Sequence, residues 1–289
     1  MMTKSKYIIC FVLGSLFGCQ KADLSAIDNL RNDKIAIIGH GGMGFQSPEV
    51  NLPANSFEGI TKAVEGYQVD GVEVDVQLSA DGVLFLYHDS RLQTLTDCLG
   101  CLYQHESEKL DECKYVSGFN TQNFSNQKLV RLETIIARFN ERIPKSLIFL
   151  DLKTSLDCPQ SFDISTFENI FLESLKALFT KYNCQEWVIV ESANLSFLKE
   201  LKKEIPEVRL NYFSAIDESA IEIVDENKFY GLSANFDQAS KEAIRAAHDK
   251  GIFVTLDILK IRRDAIEMIE MSPDFIYTDN IPLLQSILN

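Results

Sequence analysis

Six polar side chains stand at the ends or inside of short apolar runs, where burial would otherwise favour valine or leucine. His40 follows Ile35–Gly39, Glu73 and Asp75 alternate with Val72, Val74 and Val76, His88 follows Val83–Tyr87, and Asp151 and Lys153 follow Leu147–Leu150. The chain has four histidines, and two of them occupy these positions. Side chains alternate along a strand, so Glu73 and Asp75 share a face. Two carboxylates on one inner face repel and require a proton or a cation between them. An all-oxygen set fits a hard divalent metal ion, Ca2+ or Mg2+, with Asp151 as the third ligand. His40 and His88 then form a general acid–base pair, and Lys153 supplies a positive charge for a phosphate oxygen. Taken singly, each has a plainer explanation: an exposed Glu-x-Asp, a histidine in a turn, a structural Asp–Lys pair. Their common placement at strand ends favours the chemical one.

The elements that must position these groups follow an alternating rhythm. Apolar runs at Ile35–Ile38, Val72–Val76, Leu147–Leu150, Trp187–Val190, Leu210–Phe213, Phe229–Leu232, Ile252–Leu256 and Phe275–Tyr277 read as strands. Between most of them lie helical patterns, at Ser56–Tyr67, Leu132–Phe139, Ile164–Tyr182, Ala193–Glu204, Ala215–Glu226, Ser240–Lys250 and Ile261–Met271. Eight strands alternating with helices predict an α/β fold, a (β/α)8 TIM barrel, and the body after residue 33 matches the roughly 250 residues typical of it. Val83–Tyr87, reached through Asp81-Gly82, predicts a hairpin. With the aperiodic stretch of about 89–130 it forms an insertion after strand two. Barrel chemistry sits at the carboxyl ends of strands, where the six side chains fall.

In that order and spacing the chain resembles the glycerophosphodiester phosphodiesterases. The family motifs His-Arg-Gly, Pro-Glu-Asn-Thr, Glu-x-Asp, His-Asp, Glu-x-Lys and Thr-Asp-x-Pro correspond to His40-Gly41-Gly42, Pro53-Ala54-Asn55-Ser56, Glu73-Val74-Asp75, His88-Asp89, Asp151-Leu152-Lys153 and Thr278-Asp279-Asn280-Ile281-Pro282. The resemblance implies a TIM barrel and metal-dependent hydrolysis of a small glycerophosphodiester to glycerol 3-phosphate and an alcohol. Nucleophilic attack would come from the substrate's neighbouring hydroxyl or from water. It implies His40 and His88 as the acid–base pair, Glu73, Asp75 and Asp151 as metal ligands, and Lys153 beside the phosphate. Three departures stand out: Gly41 replaces arginine, Ala54 replaces glutamate, and Asp151 is shorter than the family glutamate. Arg91 and Lys128 are the candidates to compensate. These losses leave open a sphingomyelinase D-like or lysophospholipid head-group phosphodiesterase, and a non-catalytic barrel that binds phosphorylated ligands.

The 289 residues carry 28 Lys+Arg against 42 Asp+Glu, a net charge of −14, which argues against a nucleic-acid partner. Lys4 and Lys6 followed by the apolar run Tyr7–Phe17 predict an export signal over 1–18. Leu16-Phe17-Gly18-Cys19 resembles a lipoprotein cleavage box, which implies a lipid anchor at Cys19 and a membrane-attached protein of the cell envelope, at the periplasmic face or outer membrane. Residues 19–33 are expected to be a tether and 34–289 the barrel domain. Five cysteines remain beyond Cys19, an odd number that leaves at least one unpaired within the chain. Cys98, Cys101, His105 and Cys113 permit a zinc knuckle, but a disulfide from Cys113 to Cys98 or Cys101 is expected in an oxidising compartment. The sequence leaves the oligomeric state open.

Overall fold

A computed structural model describes residues 22–45, 52–116, 127–160, 163–259 and 261–289. Eight parallel strands close on themselves. They are β1 (Ala36–Gly39), β2 (Gly71–Leu78), β5 (Leu147–Leu152), β6 (Val188–Ser192), β7 (Arg209–Phe213), β8 (Gly231–Asn235), β9 (Phe253–Leu259) and β10 (Phe275–Thr278). Their order is β1-β10-β9-β8-β7-β6-β5-β2, and a β1–β2 pairing completes the ring. The expected (β/α)8 TIM barrel is present, each expected strand agreeing with an observed one to within a few residues.

The helices are α1 (Phe57–Thr61, continued by a π turn over Lys62–Gly66), α2 (Ser107–Leu110), α3 (Leu132–Asn140), α4 (Ile164–Tyr182), α5 (Leu195–Glu204), α6 (Glu218–Glu226), α7 (Lys241–His248), α8 (Arg262–Glu270) and α9 (Ile281–Leu288). Side-chain caps start them where the sequence offers Ser, Asp or Asn. Ser56, Asp163, Asp217 and Ser240 each accept from the backbone N–H three residues on. Strand parity divides the apolar residues. Val72, Val74 and Val76 face outward into the large layer between strands and helices. Ala36, Ile38, Phe149, Ile189, Phe275 and Tyr277 form a separate cluster, and by parity it fills the barrel interior. Above and beside this cluster the interior turns polar. Asn211 Nδ2 donates to Ser233 Oγ (2.9 Å) and Thr255 Oγ1 (3.3 Å).

The insertion leaves the barrel at β2. The short strand β3 (Leu84–Leu86) pairs antiparallel with β2 and then with β4 (Val130–Arg131). Phe85, Tyr87, Leu92, Leu102, Leu110, Tyr115 and Leu129 give it a core of its own. The expected Cys113 disulfide goes to Cys98, and a second bridge, Cys101–Cys158, ties the insertion to the loop after β5. Cys184 is free and buried. The zinc alternative is thereby closed, and His105 Nε2 lies 2.7 Å from the Leu99 carbonyl.

At the amino-terminal end, residues 22–33 of the expected 19–33 tether pack as a plug on the barrel floor. Ile27 is buried, Leu30 N–H donates to Asp274 Oδ1 (2.9 Å), Asn29 Nδ2 donates to the Pro273 carbonyl (2.8 Å), and the Arg31 guanidinium lies over Phe275. The polar composition of the segment hides this, because its anchoring depends on Asp274, distant in sequence. The expected signal over 1–18 and the lipidation site Cys19 lie outside the described residues. Among the described residues no helix is long and apolar enough to cross a membrane.

Candidate active site

Register sets the carboxylates on one level. Asp75 pairs with Asp151 across β2 and β5, and Asp151 pairs with Glu191 across β5 and β6. Carboxylate oxygens of Glu73, Asp75 and Asp151 all lie within 4.8 Å of one another. Glu73 and Asp75 are buried, and Asp151 is partly so. Lys153 Nζ reaches Asp75 Oδ1 at 2.9 Å and Asp151 Oδ2 at 2.5 Å. Asn55 holds Asp75 from both ends: its Nδ2 donates to Asp75 Oδ2 (2.6 Å), and its Oδ1 accepts from the Asp75 N–H (2.9 Å). Gly41 N–H donates to Glu73 Oε2 at 2.9 Å.

These contacts divide the charges. Burial opposes ionisation of Asp75, but the charges of Lys153 and His88, with hydrogen bonds from Lys153 and Asn55, outweigh it and hold its pKa low. Burial and the neighbouring Asp75 push Glu73 well up. Burial likewise raises Asp151, against the pull of Lys153. Burial disfavours the Lys153 charge, yet Asp75 and Asp151 hold it firmly protonated. One ammonium cannot balance all three carboxylates, so ionising Glu73 and Asp151 as well would leave excess negative charge in a buried place. An all-oxygen set with that excess fits a hard divalent cation, so these three residues could hold one.

His40 closes β1, and its Nδ1 lies 2.8 Å from Asp279 Oδ1. An ionised carboxylate only accepts, so Nδ1 carries the proton, and Nε2 is the other ring nitrogen, 3.9 Å from Glu73 Oε2. Burial pulls the His40 pKa down, but the Asp279 bond and the charges of Glu73, Asp257 and Asp279 carry it up to about 10. His88, after β3, bonds Asp89 Oδ1 through Nδ1 at 2.8 Å. Its side chain is 47% exposed, against 14% for His40. His40, Glu73, His88, Asp151 and Lys153 line one cavity of about 440 Å³ at the mouth of the barrel. All six expected residues therefore converge there, five on the cavity wall and Asp75 directly beneath Lys153. Neither Arg91 nor Lys128 is on that wall, and Lys128 pairs with Glu112 at 3.1 Å.

Several groups on the site carry no assignment from sequence. Glu191 and Asp257 line the cavity, and Asp279 orients His40. Glu191 Oε2 accepts from Tyr277 Oη at 3.0 Å. Burial and the charge of Asp151 push Glu191 up to about 8; burial carries Asp257 up to about 6. All three follow mainly apolar runs in the sequence, the same signal that marks Asp151. The departures at 41 and 54 meet in space. A Cβ on Gly41 (φ +55°) would lie 2.7 Å from the Phe45 ring and 2.8 Å from the Ala54 Cβ. Phe45 fills that corner.

Comparison with known proteins decides the family. The model of the glycerophosphoryl diester phosphodiesterase family matches residues 46–283. The chain belongs to this family. The match begins after His40, whose placement rests on the geometry above. A glycerophosphodiester phosphodiesterase of Caldanaerobacter subterraneus is 25% identical over 177 residues, 61% of this chain and 65% of that one. Glycerophosphodiester phosphodiesterase 1 of Bos taurus is 28% identical over 163 residues, 53% of this chain and 46% of that one. The chain thus spans about half to two thirds of the length of these curated relatives. Among solved structures, an Oleispira antarctica phosphodiesterase in complex with the product sn-glycerol-3-phosphate superposes with a TM-score of 0.72 at 20% identity, covering 88% of this chain and 96% of that one. This likeness establishes the common fold.

Proposed function

We propose that the protein is a phosphodiesterase that hydrolyses glycerophosphodiesters to glycerol 3-phosphate and an alcohol, using a Ca2+ or Mg2+ ion held by Glu73, Asp75 and Asp151. The observation that carries this reading is the convergence of three carboxylates, one ammonium and two histidines on one cavity. When bound, the cation neutralises charge on the non-bridging phosphate oxygens. Lys153, released from part of its carboxylate pairing, is among the described residues the one side-chain cation lining the cavity apart from the histidines, and binds a phosphate oxygen. His40 and His88 take the proton of the nucleophile and protonate the leaving alkoxide between them. Asp279 fixes the His40 ring so that Nε2 is its exchanging nitrogen. Family membership and the named activity of the relatives support the diester substrate.

The test is product release. With Ca2+ or Mg2+ the chain is expected to liberate glycerol 3-phosphate from glycerophosphocholine or glycerophosphoethanolamine, and His40→Ala to do so at least about a hundredfold more slowly. If both are inert across several diesters while metal still raises the melting temperature, the protein is a binding barrel. The absence of the family arginine and glutamate, at Gly41 and Ala54, is what favours that alternative. Release of a head group from lysophospholipid or sphingolipid instead would move the activity to intact lipids.

We further propose export and lipid attachment at Cys19. Two disulfides in the body, Cys98–Cys113 and Cys101–Cys158, accord with an oxidising compartment. Incorporation of labelled fatty acid that Cys19→Ser abolishes is the expected result.

A further inference from the structure

We infer that Phe45 is a positioning residue for the histidine pair. The inference rests on the phosphodiesterase reading above, since it concerns the two groups that move protons in it. The Phe45 ring centroid lies 4.4 Å from that of His40, tilted by 45°, and 5.0 Å from that of His88, at 66°. It thus touches both imidazoles. The two histidines reach the site from different elements, His40 from the end of β1 and His88 from the end of β3, and their Nδ1 partners differ. His40 is held by Asp279 in a buried setting. His88 is half exposed, and among the described residues its side-chain bond is local, to the next residue in the chain, so its Nδ1 bond does not fix it relative to His40. The edge-on contact with Phe45 supplies that relation, in a geometry that aromatic rings prefer.

Phe45 is itself built in. Its backbone N–H donates to Asp279 Oδ1 at 3.0 Å, the same oxygen that meets His40 Nδ1 at 2.8 Å. One carboxylate oxygen therefore anchors both the ring of His40 and the backbone that carries the ring against it. Two neighbours leave room for the aromatic side chain. Gly41 has no Cβ, and one there would approach Phe45 Cε2 to 2.7 Å, while Ala54 ends at its methyl group. Small residues at 41 and 54 and a phenylalanine at 45 are one arrangement, in which an aromatic spacer stands beside the acid–base pair. A misplacement of about 1 Å at such a pair costs on the order of a hundredfold in rate.

Three variants of the full chain test this. Phe45→Tyr keeps a ring, Phe45→Leu keeps apolar volume without one, and Phe45→Ala keeps neither. The expectation is a kcat lowered about tenfold or more in Phe45→Ala, equivalent to about 1.4 kcal/mol of barrier. KM should stay within about twofold, with partial loss in Phe45→Leu and near wild-type turnover in Phe45→Tyr. In the chain labelled with 13C-histidine, ring-current shifts on two of the four histidines should disappear in Phe45→Leu and persist in Phe45→Tyr. Equal kcat in wild type and Phe45→Leu, or a rise in KM alone, would overturn the inference, the latter marking Phe45 as a substrate contact. The underlying reading fails differently, through a wild type that cleaves no diester. In that case histidine resonances that ignore Phe45→Leu overturn the placement as well.

Discussion

The barrel carries a histidine–aspartate pair at each end, and strand β10 supplies both aspartates. Asp279 follows the strand at the mouth and meets His40 Nδ1 at 2.8 Å; Asp274 precedes it at the floor and meets His248 Nε2 at 2.9 Å. The two pairs have the same chemistry and nearly the same length, yet their surroundings differ. Asp274 is fully buried and saturated, its oxygens also accepting from Leu30 N–H and Val254 N–H. It clamps the amino-terminal plug, the β9 strand and α7 together. The His40 ring instead faces a cavity with five further carboxylates and an ammonium on or beneath its wall. What separates a structural pair from a chemical one is therefore what the rest of the imidazole meets, not the pair itself.

Exchanging the same mutation between the two ends is the strongest test of that contrast. His40→Ala is expected to lower kcat/KM by about 10²–10⁴, the range for losing a general acid or base. His248→Ala should leave kcat/KM unchanged at a temperature where the variant is folded. Diester hydrolysis measured on both decides it, and comparable losses in the two would erase the distinction. Next in size is the stability of the floor. Asp274→Ala strands two backbone donors and one imidazole, and should cost about 3–5 kcal/mol in urea unfolding. A loss under about 1 kcal/mol would mean that the plug over residues 22–33 is not held by Asp274.

The mouth should show the opposite balance between stability and function. Glu73→Gln keeps an acceptor for Gly41 N–H but removes one charge from a buried like-charged pair. The metal-free variant is expected to melt no lower than wild type, because burial and Asp75 already disfavour the Glu73 charge. Its response to metal should vanish. In wild type, a bound divalent cation at a hundred times its dissociation constant should stabilise by about 2.7 kcal/mol. Thermal melts with and without metal separate the two effects. A retained metal response would remove Glu73 from the ligand set.

The contrast also shows what a linear sequence can display. His40, Glu73, Asp75, His88, Asp151 and Lys153 were legible because a polar residue after an apolar strand is conspicuous and a barrel gathers strand ends. Glu191, Asp257 and Asp279 carry the same mark but no spacing that assigns them a role. Asn55 reads as a helix start; Ser56 takes the cap, while Asn55 reaches across to Asp75. Phe45, the floor plug and the Cys101–Cys158 bridge depend on partners far along the chain, so local pattern does not reveal them. His248 sits in a helix of mixed polarity and looks incidental until the fold brings Asp274 to it.

The smallest expected effect separates the carboxylates of the mouth from one another. Asp75 is held ionised by Lys153, whereas Glu191, on the neighbouring side, has no such partner among the described residues and bonds the Tyr277 hydroxyl. Burial first, and then Asp151, lift Glu191 to about 8 from an ordinary 4.5. The folded state thus keeps a proton that the unfolded chain loses above pH 4.5. Stability from this group is complete below pH 4.5 and is lost as the pH rises through about 8. Asp257, lifted only to about 6, finishes its own change earlier, so the interval above that belongs to Glu191 among these two. Urea unfolding of the metal-free chain between about pH 6.5 and 8 should show stability falling with pH more steeply than in Glu191→Gln, by at most about 1.4 kcal/mol per pH unit. Parallel curves would mean that Glu191 is already ionised in the folded state. The mouth would then be negative all round, rather than charged beside Lys153 and neutral where Tyr277 meets Glu191.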